Sequence, residues 1–104
     1  MDKYSLLGRI KARLKAVYGD RLRGVVLYGS EARGDAGPDS DIDVLVLLAG
    51  PVAFGKELRV IIDTLYPLQL EVFRPLHATP VDVKIYEAGE FALYRNVRQE
   101  GILA

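Results

Sequence analysis

The chain has 104 residues, half of them apolar, and its 14 basic residues balance its 14 acidic residues, so the formal net charge is zero. This length predicts one small domain, 1–104, and the balanced charge argues against a general binder of nucleic acid or anionic membranes. The absence of cysteine excludes disulfides and thiolate metal sites. No apolar run approaches the ~20 residues of a membrane span, so we expect a soluble, cytoplasmic protein.

The first half of the chain alternates between helical and strand patterns. Apolar residues at helical spacing predict a helix over 3–18, and a continuous apolar run predicts a buried strand over 23–28. A short helix over 30–34 and a second buried strand over 41–48 follow, joined by a loop that contains glycine and proline. The apolar stripe of the first helix comprises Leu6, Leu7, Ile10, Leu14 and Val17.

The second half of the chain contains two further helical patterns and two alternating ones. Helical spacing predicts a helix over 53–66, which Pro67 is expected to end. Apolar and polar residues alternate over 68–73 and again over 81–86, which predicts two strands separated by a loop. A last helix is predicted over 90–99. Together these patterns indicate an α/β (α+β) domain with about four strands.

Two carboxylates, Asp41 and Asp43, stand at the start of the second strand. Strand side chains alternate between faces, so the two acids project from one face and Ile42 from the other. Carboxylates this close repel each other, and one tends to hold a proton unless a cation lies between them. Mg²⁺ prefers oxygen ligands and commonly combines one or two protein carboxylates with substrate phosphates. The pair therefore predicts a magnesium site.

The turn that follows the first strand suits a phosphate. Gly29 allows the backbone to approach a ligand closely. If a helix begins at Ser30, its free N–H groups and the serine hydroxyl form an anion site. Arg33 lies within one turn and can clamp a phosphate, or it can instead pair with a neighbouring acid such as Glu31 or Asp35. Phosphate donors at one strand end and metal ligands at the next are what transfer from a nucleoside triphosphate requires.

These two motifs occur together in a known signature, which the chain carries as Gly29-Ser30-x-Ala32-Arg33-Gly34 followed by Ser40-Asp41-x-Asp43. In these residues the chain resembles the DNA polymerase beta-type nucleotidyltransferases, and its shortness narrows the resemblance to the minimal nucleotidyltransferases. The resemblance implies the nucleotidyltransferase fold, a mixed β-sheet flanked by helices. It also implies transfer of a nucleoside monophosphate, with ATP as the default donor and two Mg²⁺ ions held by Asp41 and Asp43.

The resemblance further implies a third acidic ligand on a later strand. Asp82 is the best candidate, because it lies on a predicted strand between Val81 and Val83, on the face opposite the core residues. Glu71, on the other late strand, is the alternative. An acid on the solvent face of an edge strand gives the same sequence pattern.

The acceptor of the nucleotide is not encoded in these motifs. Larger members of the resembled family add a second domain that shapes the acceptor site, and minimal members often pair with a helical HEPN protein as antitoxin to toxin. In such pairs the nucleotidyltransferase can add AMP to a tyrosine of the partner and silence its RNase activity. The resemblance therefore implies a protein adenylyltransferase. Two alternatives stay open: an antitoxin that acts by contact alone, and a free-standing transferase on a small alcohol or an RNA end.

The remaining polar and aromatic residues receive no catalytic role from the sequence. His77 lies in a loop flanked by prolines and is expected to be exposed, and Glu57 is expected on the solvent side of the third helix. Tyr86 and Tyr94 are expected to serve in packing. Residues 102–104 fit a docking edge or a frayed terminus equally well.

Overall fold

Residues 2–104, the part of the chain that this computed structural model describes, form five α-helices and four strands. The elements in chain order are α1 Lys3–Tyr18, β1 Leu22–Tyr28, α2 Gly29–Arg33, β2 Ile42–Leu48, α3 Phe54–Gln69, β3 Leu76–Asp82, α4 Val83–Ala88, α5 Ala92–Glu100 and β4 Ile102–Leu103. A single 3₁₀ turn joins α1 to β1. None of the helices in the described part is both long enough and apolar enough to cross a membrane.

The four strands form one mixed sheet in the order β3-β2-β1-β4. Strand β1 is antiparallel to both of its neighbours, whereas β2 and β3 run parallel and are connected through α3. A parallel pair needs such a crossover, because its two strands start at the same edge of the sheet. This architecture confirms the predicted α/β class with a mixed four-stranded sheet flanked by helices.

Each face of the sheet carries its own apolar cluster. Helices α1 and α3 cover one face with Leu6, Leu7, Ile10, Leu14, Ile61, Leu65 and Leu68. Val17, which was assigned to the same stripe, is instead exposed at the end of α1. Helices α4 and α5 cover part of the other face, where Tyr86 is buried and its ring lies 5.8 Å from that of Tyr94. The expected packing role of these two tyrosines is therefore confirmed.

The prediction that Pro67 ends the third helix is wrong. Helix α3 continues through the proline to Gln69. The reason is Leu68, which is 0% exposed and extends the buried stripe beyond Leu65. Complete burial of a leucine contributes about 1.5–3 kcal/mol, which offsets most of the ~3 kcal/mol that a proline costs inside a helix.

The two late strands also differ from the prediction. Residues 68–73 form the end of α3 and a turn, in which Phe73 is fully exposed, and the strand assigned to 81–86 lies earlier, at Leu76–Asp82. Strand β3 tolerates Pro80 because it is at an edge of the sheet, where one row of N–H groups has no strand to bond. The fourth strand is β4 instead.

The end of the chain is part of the sheet. Residues Ile102–Leu103 pair with β1, and the Ala104 N–H donates a 2.9 Å hydrogen bond to the Val25 carbonyl. This pairing shows that the terminus is not frayed, whereas the docking edge stays a prediction, since β4 is an edge strand of the sheet.

Glu57 was expected at the solvent side of α3, but the structure buries it. Its side chain is 6% exposed and accepts a 2.6 Å hydrogen bond from Arg21, whose guanidinium also donates to the carbonyls of Ala49 and Pro51. The Arg21 guanidinium lowers the pKa of the Glu57 carboxyl, against the opposite effect of burial. The pair therefore ties the loop after β2 to the first turn of α3.

Replacement of Glu57 by alanine is expected to lower the free energy of unfolding by about 2 kcal/mol at neutral pH, because it removes a charged hydrogen bond from a buried position. The native carboxyl has a lowered pKa, so its contribution is present above the ordinary glutamate range and is lost as the pH falls through the folded-state pKa. The difference in the free energy of unfolding between wild type and variant should therefore become smaller in acid. Urea denaturation at neutral pH and near pH ~3 measures both effects.

Glu71 provides the matched control for this experiment. It pairs with Arg9 at 2.7 Å, but both side chains are more than a third exposed. A surface ion pair is screened by solvent and contributes little to stability, so Glu71→Ala should change the free energy of unfolding by less than Glu57→Ala does. Equal losses in the two variants would contradict a special role for the buried pair.

Candidate active site

Asp41 and Asp43 lie where β2 begins. Asp43 is the second residue of the strand, opposite Tyr28 of β1, and Asp41 immediately precedes the strand. Ile42, between them, packs into the cluster under α1 and α3. The alternation of the strand thus places both carboxylates side by side on the face of the sheet opposite to Ile42, as the sequence predicted.

The structure adds a third residue, His77, to these two. Strands β2 and β3 are parallel, and their register pairs Asp43 with His77. Leu76 and Ala78, on either side of the histidine, pack against the cluster under α1 and α3, so His77 faces the same side as Asp43. One ligand atom from each of Asp41, Asp43 and His77 lies within 4.8 Å of the other two.

Asp82 and Glu71, the two candidates for a third carboxylate, do not join this group. Asp82 ends β3 opposite Leu48, five residues beyond His77, which is about 16 Å along a strand. Its side chain caps α4 by accepting a 2.9 Å hydrogen bond from the Lys84 N–H. Glu71 lies in the turn after α3 and pairs with Arg9. The parallel register explains the correction: it brings the start of β3, not its end, to the start of β2.

Gly29 gives the site its shape. It adopts a positive φ of +74° directly after β1, and a Cβ atom built on it would lie 2.8 Å from Oδ2 of Asp43. Any other residue would be strained at this φ and would press against the carboxylate. The missing side chain of Gly29 therefore makes room for the Asp43 carboxylate, so the turn after β1 and this acid lie in close contact at the start of α2.

The surroundings of the Asp43 carboxyl are those of a cation-binding group. Burial raises its pKa above the ordinary aspartate value, the neighbouring Asp41 raises it further, and His77 acts in the opposite direction. A half-buried carboxylate with a like charge beside it is stabilised by a positive ion. Two carboxylates and an imidazole at these separations fit a divalent cation, so the donor set supports the predicted metal site.

Ser30 and Arg33, the predicted phosphate ligands, differ in their surroundings. Ser30 is half-buried in the first turn of α2, next to Gly29. The Arg33 guanidinium, in contrast, lies 3.3 Å from Asp35 and 3.5 Å from Glu100. Solvent screens exposed ion pairs of this kind, so Arg33 can exchange them for a phosphate at low cost.

Arg74 anchors the loop that carries Asp41, a role that sequence reasoning missed. Its Nε donates a 2.8 Å hydrogen bond to the Ser40 carbonyl, and its guanidinium forms a largely buried ion pair with Glu31 of α2. The Ile42 N–H donates to the Pro75 carbonyl at 2.8 Å. The segment before β3 therefore fixes both the loop before Asp41 and the short helix beside Gly29.

Replacement of Arg74 by alanine is expected to reduce kcat/KM of the reaction at this site by roughly 10-fold, because small displacements of a catalytic group are costly. The loss should come with a lower melting temperature, since Glu31 keeps a buried charge without its partner. Steady-state transfer assays and thermal unfolding measure the two effects. Glu71→Gln is the control: an unchanged rate is expected, and a rate as low as that of Arg74→Ala would contradict the assignment.

Fold and site together define a class of protein. A mixed sheet with two carboxylates at the start of one strand, beside a glycine turn that opens a short helix, is the arrangement of a nucleotidyltransferase. The sequence model of the family described as "Nucleotidyltransferase domain" matches residues 7–103. The chain belongs to this family, and its enzyme class is nucleotidyltransferase.

Comparison of the sequence and comparison of the structure both find similar proteins. Two proteins of Methanocaldococcus jannaschii are similar in sequence. "Putative protein adenylyltransferase MJ0141" is 30% identical over 69% of this chain and 74% of the relative. "Putative protein adenylyltransferase MJ0604" is 33% identical over 85% of this chain and 83% of the relative. A crystal structure of a toxin-antitoxin with AMP-PNP superposes with a TM-score of 0.60 at 20% identity, over 91% of this chain and 69% of that one. A crystal structure of a mutant of the toxin-antitoxin MntA-HpeT superposes with a TM-score of 0.62 at 18% identity. This match covers 93% of this chain and 70% of that one. At these identities the structures support the fold.

Proposed function

We propose that this chain is a protein adenylyltransferase that transfers AMP from ATP to a hydroxyl of a partner protein. The observation that carries the proposal is the position of Asp41 and Asp43 side by side at the start of β2, with the Asp43 carboxylate in close contact with the Gly29 turn. Both sequence relatives are named for this activity. A toxin-antitoxin structure with the same fold was solved with an ATP analogue, AMP-PNP.

The residues divide the task between them. Asp41 and Asp43 hold Mg²⁺, while the Gly29 turn and Ser30 receive the β- and γ-phosphates, with Arg33 as a further phosphate ligand. When bound, the metal neutralises charge on the triphosphate and makes the attacking hydroxyl more acidic. The hydroxyl oxygen forms a bond to the α-phosphorus, the bond from that phosphorus to the β-phosphate oxygen breaks, and pyrophosphate leaves. The hydroxyl proton passes to solvent or to a nearby carboxylate.

The proposed acceptor belongs to a partner of the HEPN type, and the pair acts as antitoxin and toxin. The similarity to toxin-antitoxin structures supports a toxin as the partner, and the HEPN type follows from the resemblance of the sequence motifs to the minimal nucleotidyltransferases. Adenylylation of a tyrosine hydroxyl on such a partner would silence it, and the reaction places both proteins in the cytoplasm, where ATP is available.

The test uses the partner protein co-purified with this chain. With ATP labelled at the α-phosphate, we expect label to become covalently attached to the partner in the presence of Mg²⁺. ATP labelled at the γ-phosphate should give none, because pyrophosphate carries that label away. Covalent label from both nucleotides would instead indicate transfer of a phosphoryl group and would contradict the proposal.

A second variant separates catalysis from simple contact. The Asp41→Asn/Asp43→Asn double variant should still fold and bind the partner, but it should fail to neutralise the partner's activity. Full neutralisation by this variant would favour an antitoxin that works by contact. Activity on a small alcohol or an RNA end without any partner would favour a free-standing transferase.

A further inference from the structure

We propose that His77 is a third metal ligand and that it makes this site prefer a first-row transition ion, Mn²⁺, over Mg²⁺. The inference deepens the proposed function, since it rests on Asp41 and Asp43 as metal ligands. It does not depend on which acceptor receives the nucleotide.

The sheet fixes the position of His77. It stands opposite Asp43 in a parallel register that five further residue pairs extend to the end of both strands. Two ligands of one metal ion are at most about 4.4 Å apart, given bond lengths of ~2.0–2.2 Å to nitrogen and oxygen. One ligand atom from each of Asp41, Asp43 and His77 lies within 4.8 Å of the other two, so small rotations of the exposed Asp41 and His77 side chains bring all three onto one ion.

The position of His77 is also the position that a third ligand must take. Asp43 has one neighbouring strand on each side. On one side β1 ends at Tyr28, before Gly29, and on the other side β3 places His77 opposite Asp43. The acids that the sequence offered for this role, Asp82 and Glu71, are engaged elsewhere as a helix cap and an ion pair. The imidazole is therefore the group that the fold presents where a carboxylate was expected.

Replacing a carboxylate by an imidazole changes which ion is preferred. Mg²⁺ favours an all-oxygen shell, whereas imidazole suits transition ions, whose affinity rises from Mn²⁺ upward through the first row. With two carboxylates retained, Mn²⁺ accepts both kinds of donor in this site. His77 thus sets the ion preference, while Asp41 and Asp43 provide the charge.

The test measures metal binding to the full chain without nucleotide. Titration with Mn²⁺, followed by electron paramagnetic resonance, gives the Kd, and competition gives that of Mg²⁺. His77→Ala should weaken Mn²⁺ binding by at least about 10-fold and change Mg²⁺ binding much less. His77→Asp should shift the preference toward Mg²⁺. Electron spin-echo modulation from an imidazole nitrogen should be present in the Mn²⁺ complex of the wild type and absent from both variants.

The variants distinguish the possible failures. Asp82→Asn is the matched control and should bind both ions as the wild type does. Unchanged Mn²⁺ affinity in His77→Ala, or no nitrogen modulation in the wild type, would overturn the role of His77. Loss of Mn²⁺ binding in Asp43→Asn would in that case still support the metal site. If Asp43→Asn also binds Mn²⁺ normally, the metal site fails, and the proposed function fails with it.

Discussion

Asp43→Asn should abolish nucleotidyl transfer and at the same time make the protein more stable. The amide has the shape of the carboxylate but not its charge, so the proposed metal site loses an anionic ligand at the point where it touches Gly29. We expect kcat/KM to fall by at least about 1,000-fold, which corresponds to roughly 4 kcal/mol of lost transition-state stabilisation. The gain in stability has a separate cause.

Burial and the neighbouring Asp41 raise the pKa of Asp43 in the folded protein. A carboxyl with a raised folded-state pKa destabilises the fold at every pH above that value, and the effect disappears below the ordinary aspartate pKa. The asparagine variant should therefore melt at a higher temperature than the metal-free wild type at neutral pH. In acid the two melting temperatures should converge.

Transfer assays with α-labelled ATP and thermal unfolding without metal measure both effects. Asp82→Asn is the control for activity, because Asp82 lies at the far end of β3, and it should retain the full rate. Transfer by Asp43→Asn within about tenfold of the wild-type rate would contradict the site. So would an asparagine variant that is less stable than the wild type at neutral pH.

The parts of the site that are local in sequence could be predicted from it. Asp41 and Asp43 are two residues apart in one strand, so alternation alone places them on one face. Gly29 lies at a strand end followed by a short helix, where the need for a positive φ is a local property of the turn. Strand alternation and turn chemistry act over a few residues, and the sequence displays them directly.

The parts of the site that depend on register could not be predicted. The position of β3 along β2 follows from the length of α3, and α3 is longer than expected because the buried Leu68 carries it past Pro67. The longer helix leaves the start of β3 at Leu76, so His77 rather than Asp82 reaches Asp43. No local pattern encodes such a pairing between distant residues.

The same limit applies to buried charges. Glu57 has the sequence neighbourhood of a solvent-facing residue, and only the fold brings Arg21 to it from 36 positions away. Arg74 reaches Ser40 across 34 positions. Both contacts stabilise loops at strand ends, but only that of Arg74 lies at the end of β2 where the site is, since Arg21 and Glu57 join elements at the opposite end of the strand.

Gly29→Ala should impair the site, although less severely than loss of the Asp43 carboxylate. The added Cβ would lie 2.8 Å from Oδ2 of Asp43, closer than real contacts allow, so the carboxylate must move. A displacement of about 1 Å in a catalytic group can cost about 100-fold in rate, and we expect a loss of this size in kcat/KM. The positive φ adds strain of roughly 1–2 kcal/mol to the folded state.

Gly34→Ala separates the clash from the strain. Gly34 ends the same short helix with a φ of +83°, but a Cβ there meets no atom within 4 Å among the described residues. The two variants should therefore lose similar amounts of stability in urea denaturation, while only Gly29→Ala loses transfer. If Gly34→Ala lost as much activity as Gly29→Ala, backbone strain in α2 would explain both. The close contact between Gly29 and the Asp43 carboxylate would then have no role of its own, since activity would depend on the conformation of α2 alone.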